Sequence, residues 1–378
     1  MKKKIVIGID ASNISLGGGF THLFEILKNN PYANDMNIQI YIWAKDTVLY
    51  RLPSYSNITK QHSFWLNKGY LFRLIWMLTF INFKWYNKCD IVFHPGGLSL
   101  FSHPNVTMFR NMLIVDKIEQ ERYKWFSKDY IRLKILKLIT FFSFKNCDGL
   151  IFLSEYAFNV VNEKMKRIDT KEKSIIINHG VSEKFQPVLK SLREDSIINI
   201  VYVSTIDIYK HHILVMNEVN KLFPKHNIKL HFVGSITPNL RDAFFQTVNK
   251  YSNFVTYHGL LNYEEIQNIY RITDIFLYAS TCENMPNILI EAMASGLCIV
   301  CSNYSPMPEF LKDGGIYFDP FKDGDLSSSL ESLIGNPELR FTLSERALLL
   351  SKNYDWKICS KTTFDFLISN SEKFHSYN

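Results

Sequence analysis

No stretch of the 378 residues is apolar for long enough to cross a membrane. The longest such tract, Gly69 to Phe83, falls short of the roughly 20 residues a span requires and carries Arg73 inside it. The start Met1-Lys2-Lys3-Lys4 imitates the basic end of a signal peptide. Its apolar run Ile5-Val6-Ile7-Gly8-Ile9 is broken by Asp10, however, so it reads as a buried first strand. Cysteine is scarce, with six residues at 89, 147, 282, 298, 301 and 359. Only Cys298 and Cys301 have a metal-like spacing, with no second pair and no nearby His, and their run Leu297–Cys301 reads as a strand. A disulfide framework is therefore excluded and a reducing cytoplasm is expected. No Asp-x-Asp stands in a loop suited to a metal, so neither a metal nor any other cofactor is expected. With 47% hydrophobic and 21% charged residues, disorder is excluded as well.

The length suits two domains of about 180 residues each. Their charges differ. Residues 1–190 hold 27 Lys and Arg against 15 Asp and Glu, a net +12, whereas 191–378 carry a net −5. A field of that kind favours anions near the first half, whether lipid, phosphorylated substrate or nucleic acid. Short β-branched runs alternate with helical segments throughout, the pattern of doubly wound parallel α/β sheets. Strands are expected at 4–10, 38–44, 90–94, 106–110, 149–154 and 174–178, then at 197–205, 229–234, 254–258, 274–279, 298–302 and 315–318. The polar connection Ser182–Asp195 marks the boundary. This gives a first domain of 1–185, a second of 186–352, and a terminal helix 353–378 that either closes the second domain or returns to the first. Two Rossmann-like domains of this kind offer the carboxyl ends of their sheets to ligands, facing a central cleft.

The most informative segment is Ser280-Thr281-Cys282-Glu283-Asn284-Met285-Pro286-Asn287-Ile288-Leu289-Ile290-Glu291-Ala292-Met293-Ala294-Ser295-Gly296. A strand ends before it, a helix is expected to open near Pro286 with Asn284 or Met285 at the cap, and Gly296 ends that helix. Free N–H groups at a helix start suit a diphosphate. Glu283 before the turn and Glu291 inside the helix flank such an anion and can accept from sugar hydroxyls. Each charge-assisted bond contributes about 1.5–3 kcal/mol. By spacing alone, a capped helix with one solvated Glu and one buried, locally satisfied Glu is the favoured explanation of the segment.

The segment resembles the Glu-x7-Glu signature of the large family-four retaining glycosyltransferases of the GT-B fold. Other landmarks fall in that family's order: Asn178-His179-Gly180-Val181 with Phe185 and Pro187; Tyr257-His258-Gly259; Tyr270 and Asp274; Pro308-Glu309-Phe310; and Phe318-Asp319-Pro320. The resemblance implies that Glu291 binds the ribose and that Glu283 holds the donor sugar. It implies that Asn284, Met285, Pro286 and Asn287 contact sugar and diphosphate, and that Lys210 neutralises the leaving diphosphate. Ser204-Thr205 stand where the family usually has Gly-Arg. A second cation is thus missing, and Thr205 is left as a hydroxyl donor.

In the first domain, Gly17-Gly18-Gly19 after the first strand permits close backbone approach to a phosphate or acceptor, with Gly18 and Gly19 as candidates; the dinucleotide pattern GxGxxG is not present. Arg110 and Asn111 stand where many family members have His-Asp, and with His94 they are candidates to orient a sugar. Two basic, aromatic segments, Asn67–Lys88 and Lys124–Lys145, suit docking to anionic lipid.

The reading is a metal-independent, retaining hexosyltransferase. It moves sugar from a UDP- or GDP-sugar to a glycan or lipid-diphosphate-linked acceptor in cell-surface polysaccharide assembly, peripheral on the inner face of the plasma membrane, with no nucleic-acid partner. Two alternatives are a sugar-nucleotide epimerase on the same fold and a non-enzymatic binder of nucleic acid or lipid through the basic half.

Overall fold

The computed structural model describes residues 4–15, 17–69, 72–73, 75–76, 88–99, 104–165, 170–187 and 197–377. Two compact units emerge: Met1–Gly180 with Asp355–Asn378, and Val181–Tyr354.

The first unit is built on a seven-stranded sheet, β3-β2-β1-β4-β5-β6-β7. Its strands are β1 (Ile5–Asp10), β2 (Ile38–Trp43), β3 (Ile58–Gln61), β4 (Ile91–His94), β5 (Asn105–Met108), β6 (Gly149–Phe152) and β7 (Ser174–Ile176). All pair in parallel. Parallel strands are covered on both faces, so their side chains are apolar on both. Accordingly, every residue of β4, β5 and β6 is buried. A fully buried Ile, Val or Phe stabilises the fold by about 1.5–3 kcal/mol over its exposed state, and such residues dominate here. The strand the sequence hid is β3: Ile58-Thr59-Lys60-Gln61 sits half-buried at the sheet edge, with one strongly apolar residue and no alternation to betray it.

The second unit carries a six-stranded parallel sheet, β10-β9-β8-β11-β12-β13. Its members are β8 (Ile198–Val203), β9 (Ile228–Val233), β10 (Val255–Tyr257), β11 (Ile275–Tyr278), β12 (Cys298–Ser302) and β13 (Gly315–Phe318). Cys298 and Cys301 lie buried within β12 as free thiols, core side chains as their sequence context suggests.

Strand order reverses direction once in each sheet, at β1/β4 and at β8/β11. A reversal leaves a crevice at the carboxyl ends of the two strands, because the following helices leave to opposite faces. The loops after Asp10 and His94, and those after Val203 and Tyr278, therefore hold the positions where ligands bind in such sheets.

The chain leaves the first unit after Gly180 and returns at Asp355. A Cβ on Gly180 would lie 2.0 Å from the Trp356 backbone nitrogen, so only glycine fits this crossing. Around it His179 stacks on Trp356 and on His22, with ring centroids 5.3 and 4.7 Å apart. The helix Trp356–Tyr377 packs on the helix Gly18–Lys28 and on β4. Ser360 Oγ donates to the Ile26 carbonyl at 2.7 Å and Tyr32 to Asp365 at 2.5 Å, so this helix is an integral layer of the first unit.

Candidate active site

At the β8/β11 crevice, Ser204 and Thr205 follow β8, and a 3-10 turn, Ile208–Lys210, brings the Lys210 side chain to Tyr278 at the end of β11. Asp207 caps that turn, its side chain accepting from the Ile208 N–H at 2.7 Å. Tyr202 donates its hydroxyl to the Lys210 carbonyl at 2.8 Å, which fixes the backbone from below. The Lys210 side chain, only 9% exposed, forms an ion pair with Glu283. Its Nζ also lies 3.2 Å from the Tyr278 hydroxyl.

Glu283 Oε1 is the hub. It accepts from Lys210, from Tyr278 at 2.8 Å and from Ser280 at 2.6 Å. Three donors on one oxygen saturate it. Oε2 takes no protein partner among the described residues and is left to accept from a ligand hydroxyl. The nearby carboxylate and burial push the Tyr278 phenol well above its ordinary value, burial being the larger effect. Tyr278 therefore stays a neutral donor.

The turn and the Glu283 loop are laced together. The Thr281 N–H donates to the Tyr209 carbonyl at 3.0 Å, and His211 Nε2 lies 3.0 Å from Thr281 Oγ1. His211 adopts φ 55° and ψ 29°, a left-handed conformation that costs a residue with a Cβ about 1–2 kcal/mol. His212 opens the next helix, His212–Leu222, and is fully buried. It stacks on Tyr202 at 4.5 Å, and burial drives its imidazole well below the ordinary range, so it is neutral.

The helix Asn287–Ala294 begins one residue later than expected. Pro286 occupies the cap position, and no side chain caps the helix. Asn284, buried in the loop, is not the cap. Proline sits there because it has no N–H to satisfy, and the helix start is not closed by a side-chain oxygen. Met285 is buried and Asn287 is half-exposed at this start. Among the described residues the side chain of Glu291, half-buried in the helix, makes no hydrogen bond or ion pair, and burial raises its carboxyl from 4.5 to about 8. Thr205 is exposed, its Oγ1 3.4 Å from Ser235 Oγ. Two hydroxyls thus stand where a second cation was missing.

The structure therefore brings Lys210 and Glu283 into contact and sets Asn284, Met285, Pro286, Asn287 and Glu291 on the same loop and helix. Tyr278, Ser280, Thr281 and His211 belong to this network and were not singled out in the sequence. The available signal was position alone, since Tyr278 ends a strand and His211 follows the lysine.

At the β1/β4 crevice of the first unit, Gly17 takes φ 81° and opens the helix Gly18–Lys28. A Cβ on Gly19 would lie 4.0 Å from the Arg110 guanidinium carbon, so the glycine turn and Arg110 are neighbours. Burial lowers Arg110 to about 10, which leaves it charged at neutral pH. His94 is buried, with Nδ1 3.3 Å from Asp10 Oδ2. Asn111 is exposed and caps a short turn, accepting from the Leu113 N–H at 3.1 Å.

Among the described residues no group of three His, Cys, Asp or Glu side chains could hold a metal. Asp323-Gly324-Asp325 has the Asp-x-Asp spacing, but Asp323 pairs with Lys221 and Asp325 with Lys322, each at 2.7 Å. A cavity of about 530 Å³ behind the Lys210 turn is lined by Asn217, Glu218, Phe321 and Asp323. Its Glu218 is also held by Lys221, at 2.6 Å. It does not contain the Glu283 chemistry.

Two parallel α/β sheets with these crevices define a GT-B protein, and solved structures agree on the fold. The Anabaena protein HepE, crystallised with UDP, superimposes with a TM-score of 0.71 at 16% identity over 97% of this chain and all of that one. WaaG, a glycosyltransferase involved in lipopolysaccharide biosynthesis, gives 0.70 at 15% identity over 96% of this chain and 99% of its own. Residues 188–349 match the model of the family described as glycosyl transferases group 1. Among its relatives, an uncharacterized glycosyltransferase of Haemophilus influenzae is 24% identical over 92% of this chain and 88% of its own length. The alpha-monoglucosyldiacylglycerol synthase of Acholeplasma laidlawii is 31% identical over 33% of this chain and 32% of its own. The protein is a glycosyltransferase.

Proposed function

We propose that this glycosyltransferase takes a hexose from a UDP- or GDP-sugar and transfers it, with retention and without metal, to a glycan or lipid-diphosphate-linked acceptor. The carrying observation is the Lys210–Glu283–Tyr278–Ser280 cluster, with Glu291 on the helix that follows its loop. Glu291, whose carboxyl has no polar partner among the described residues, accepts from the ribose hydroxyls. Glu283 Oε2 accepts from a donor-sugar hydroxyl, while Tyr278 and Ser280 hold Oε1 still. As the bond between the anomeric carbon and the β-phosphate oxygen breaks, negative charge grows on the diphosphate. The Lys210 ammonium and the start of the helix Asn287–Ala294 stabilise that charge, a role a divalent cation would otherwise fill. The acceptor hydroxyl attacks from the face the diphosphate leaves and gives its proton to a diphosphate oxygen. Arg110, Gly18 and Gly19, with His94 and Asn111 nearby in sequence or sheet, are the candidates to orient the acceptor.

An anionic membrane is the partner that fits the basic first unit. The helix Lys128–Asn146 has two opposed apolar stripes. Leu133 and Phe144 face the core, whereas Ile131, Ile135, Leu138 and Phe142 recur at helical spacing on the outside and are 44%, 51%, 73% and 45% exposed. On a helical projection Lys128 and Arg132 border the outer stripe on one side, and Lys134 and Lys145 on the other. Trp125 and Phe126 stack on each other just before the helix, 74% and 71% exposed. Phe126 holds φ 61°, a cost that water contact does not repay. Apolar residues rimmed by cations suit an anionic lipid surface. In the other basic segment Trp76 is a core residue, packed with Trp43 and Leu66, and Tyr70 and residues 77–87 lie outside the described residues. Among the described residues no helix is long and apolar enough to cross a membrane. The relatives include proteins named for lipopolysaccharide and glycolipid synthesis, which supports a role in cell-surface polysaccharide assembly at the inner face.

The test is a panel of UDP- and GDP-sugars turned over in EDTA with an acceptor present, the product anomer being read by NMR. Transfer with the donor's own configuration supports the proposal. Donor conversion without acceptor would point to an epimerase instead. Inversion, or activity only with added metal, would overturn it.

A further inference from the structure

We infer that His211 is a positioning residue for sugar transfer: its imidazole ties the Lys210 turn to the Glu283 loop and so fixes the distance between cation and carboxylate. The inference rests on the donor-site reading above and adds a residue to it.

His211 sits left-handed at φ 55° and ψ 29°, where a glycine would rest without strain. Histidine is tolerated there but not favoured. The strain is kept at the joint between Lys210 and the helix His212–Leu222, next to the chemistry. What the side chain gains is a bond across the crevice, with Nε2 3.0 Å from Thr281 Oγ1. Thr281 has one hydroxyl proton, directed at the Tyr209 carbonyl 3.3 Å away. With that proton directed at Tyr209, the tautomer of His211 protonated at Nε2 donates to Thr281 Oγ1. The imidazole is boxed in further by Phe321, edge-on at 5.3 Å, so the ring is not free to swing away.

Two residues before Glu283, Thr281 is thus bonded to Tyr209 through its N–H at 3.0 Å and to His211 through its hydroxyl. Those partners flank Lys210 on either side in sequence. A ladder of this form holds the turn and the loop in register while Lys210 and Glu283 exchange their pairing for contacts to diphosphate and sugar. Without it, the geometry would rest on the Lys210–Glu283 pair and on Tyr278, which touches both, and that pair must loosen as the ligand arrives. The groups facing His211 and its Thr281 bond are Lys210, Tyr209, Phe321 and the Glu283 carboxylate beyond. The proposal concerns position and invokes no change of protonation.

The tests are His211→Gly, His211→Asn and Thr281→Val. Each is read by thermal melting, by UDP affinity and by UDP release from the nucleotide sugar that the enzyme turns over. Relief of strain in His211→Gly is expected to raise the melting temperature by about 2–4 °C. UDP affinity should stay within about twofold, whereas kcat should fall by about tenfold or more, because UDP does not engage Glu283. Asparagine accepts the left-handed conformation and can donate to Thr281, so His211→Asn should recover most of kcat. Thr281→Val should lower kcat by a similar factor, and the double variant His211→Gly/Thr281→Val should be no slower than either single one.

Unchanged kcat in His211→Gly would overturn the inference, showing strain without purpose. So would a fall in melting temperature matched by a fall in UDP affinity, which would mark His211 as packing only. Failure of the donor site itself would read differently, since Lys210→Ala and Glu283→Gln would then also leave turnover intact.

Discussion

The two units share one topology and differ in what they place at its switch point. At β8/β11 a buried cation, a carboxylate, a phenol and a hydroxyl are bonded to one another before any ligand arrives. At β1/β4 three successive glycines open a helix over Arg110, and Asp10 and His94, which end those two strands, face each other at 3.3 Å. One crevice is preorganised for charge that develops during a reaction, and the other offers backbone and a single fixed cation. The fold supplies a place to bind in both cases, whereas the chemistry is decided by which side chains end the strands.

If that contrast is right, perturbing the second unit should damage catalysis far more than perturbing the first. Lys210→Ala should have the largest effect, lowering kcat by about a thousandfold as a preorganised charge facing the leaving group disappears. Circular dichroism should show the fold intact, because Glu283 keeps Tyr278 and Ser280.

Glu291 sharpens the comparison through pH. Its folded carboxyl, raised to about 8, lies above its ordinary 4.5. Folding therefore takes up a proton there, and the stability linked to that proton is lost as pH rises from the ordinary carboxylate range through about 8. Ribose hydroxyls need the ionised form as acceptor, so UDP affinity should move the other way and tighten about tenfold between pH 7 and pH 9. Calorimetry should find both trends in the wild type and neither in Glu291→Gln.

Smaller effects are expected in the first unit. Leu138→Asp, in the middle of the exposed stripe, should weaken binding to phosphatidylglycerol vesicles by about tenfold while leaving soluble-donor turnover unchanged. Vesicle pelleting at low and high salt reads this, and retained binding would return the stripe to an ordinary surface. Gly19→Ala should be the mildest, because the added Cβ finds nothing closer than Ile14 at 3.8 Å. Melting temperature and UDP affinity should not move. The KM for acceptor should rise a fewfold if the acceptor approaches that backbone.

The contrast also explains what was legible in the sequence. Buried parallel strands such as β4, β6 and β12 announce themselves because both faces must be apolar, and the Glu-x7-Glu spacing survives as a linear pattern. The edge strand β3 did not, since half-buried positions accept Thr, Lys and Gln. The helix start was misjudged by one residue because Pro286 serves as the cap itself. Tyr278, Ser280, Thr281 and His211 were invisible because their roles depend on two loops about seventy residues apart meeting across β8 and β11. Trp76 and Phe144 look alike in sequence to the exposed Trp125 and Phe142, and only the fold tells core from surface.

The most direct measurement is a calorimetric titration of UDP and of GDP, in EDTA at about pH 9 where Glu291 is ionised, into the wild type and Glu291→Ala. The account predicts that one nucleotide binds with an affinity on the order of micromolar and that the variant loses about 3 kcal/mol of it as two charge-assisted bonds vanish. Equal affinity in wild type and variant, or no binding of either nucleotide, would contradict the assignment of the β8/β11 crevice as the donor site.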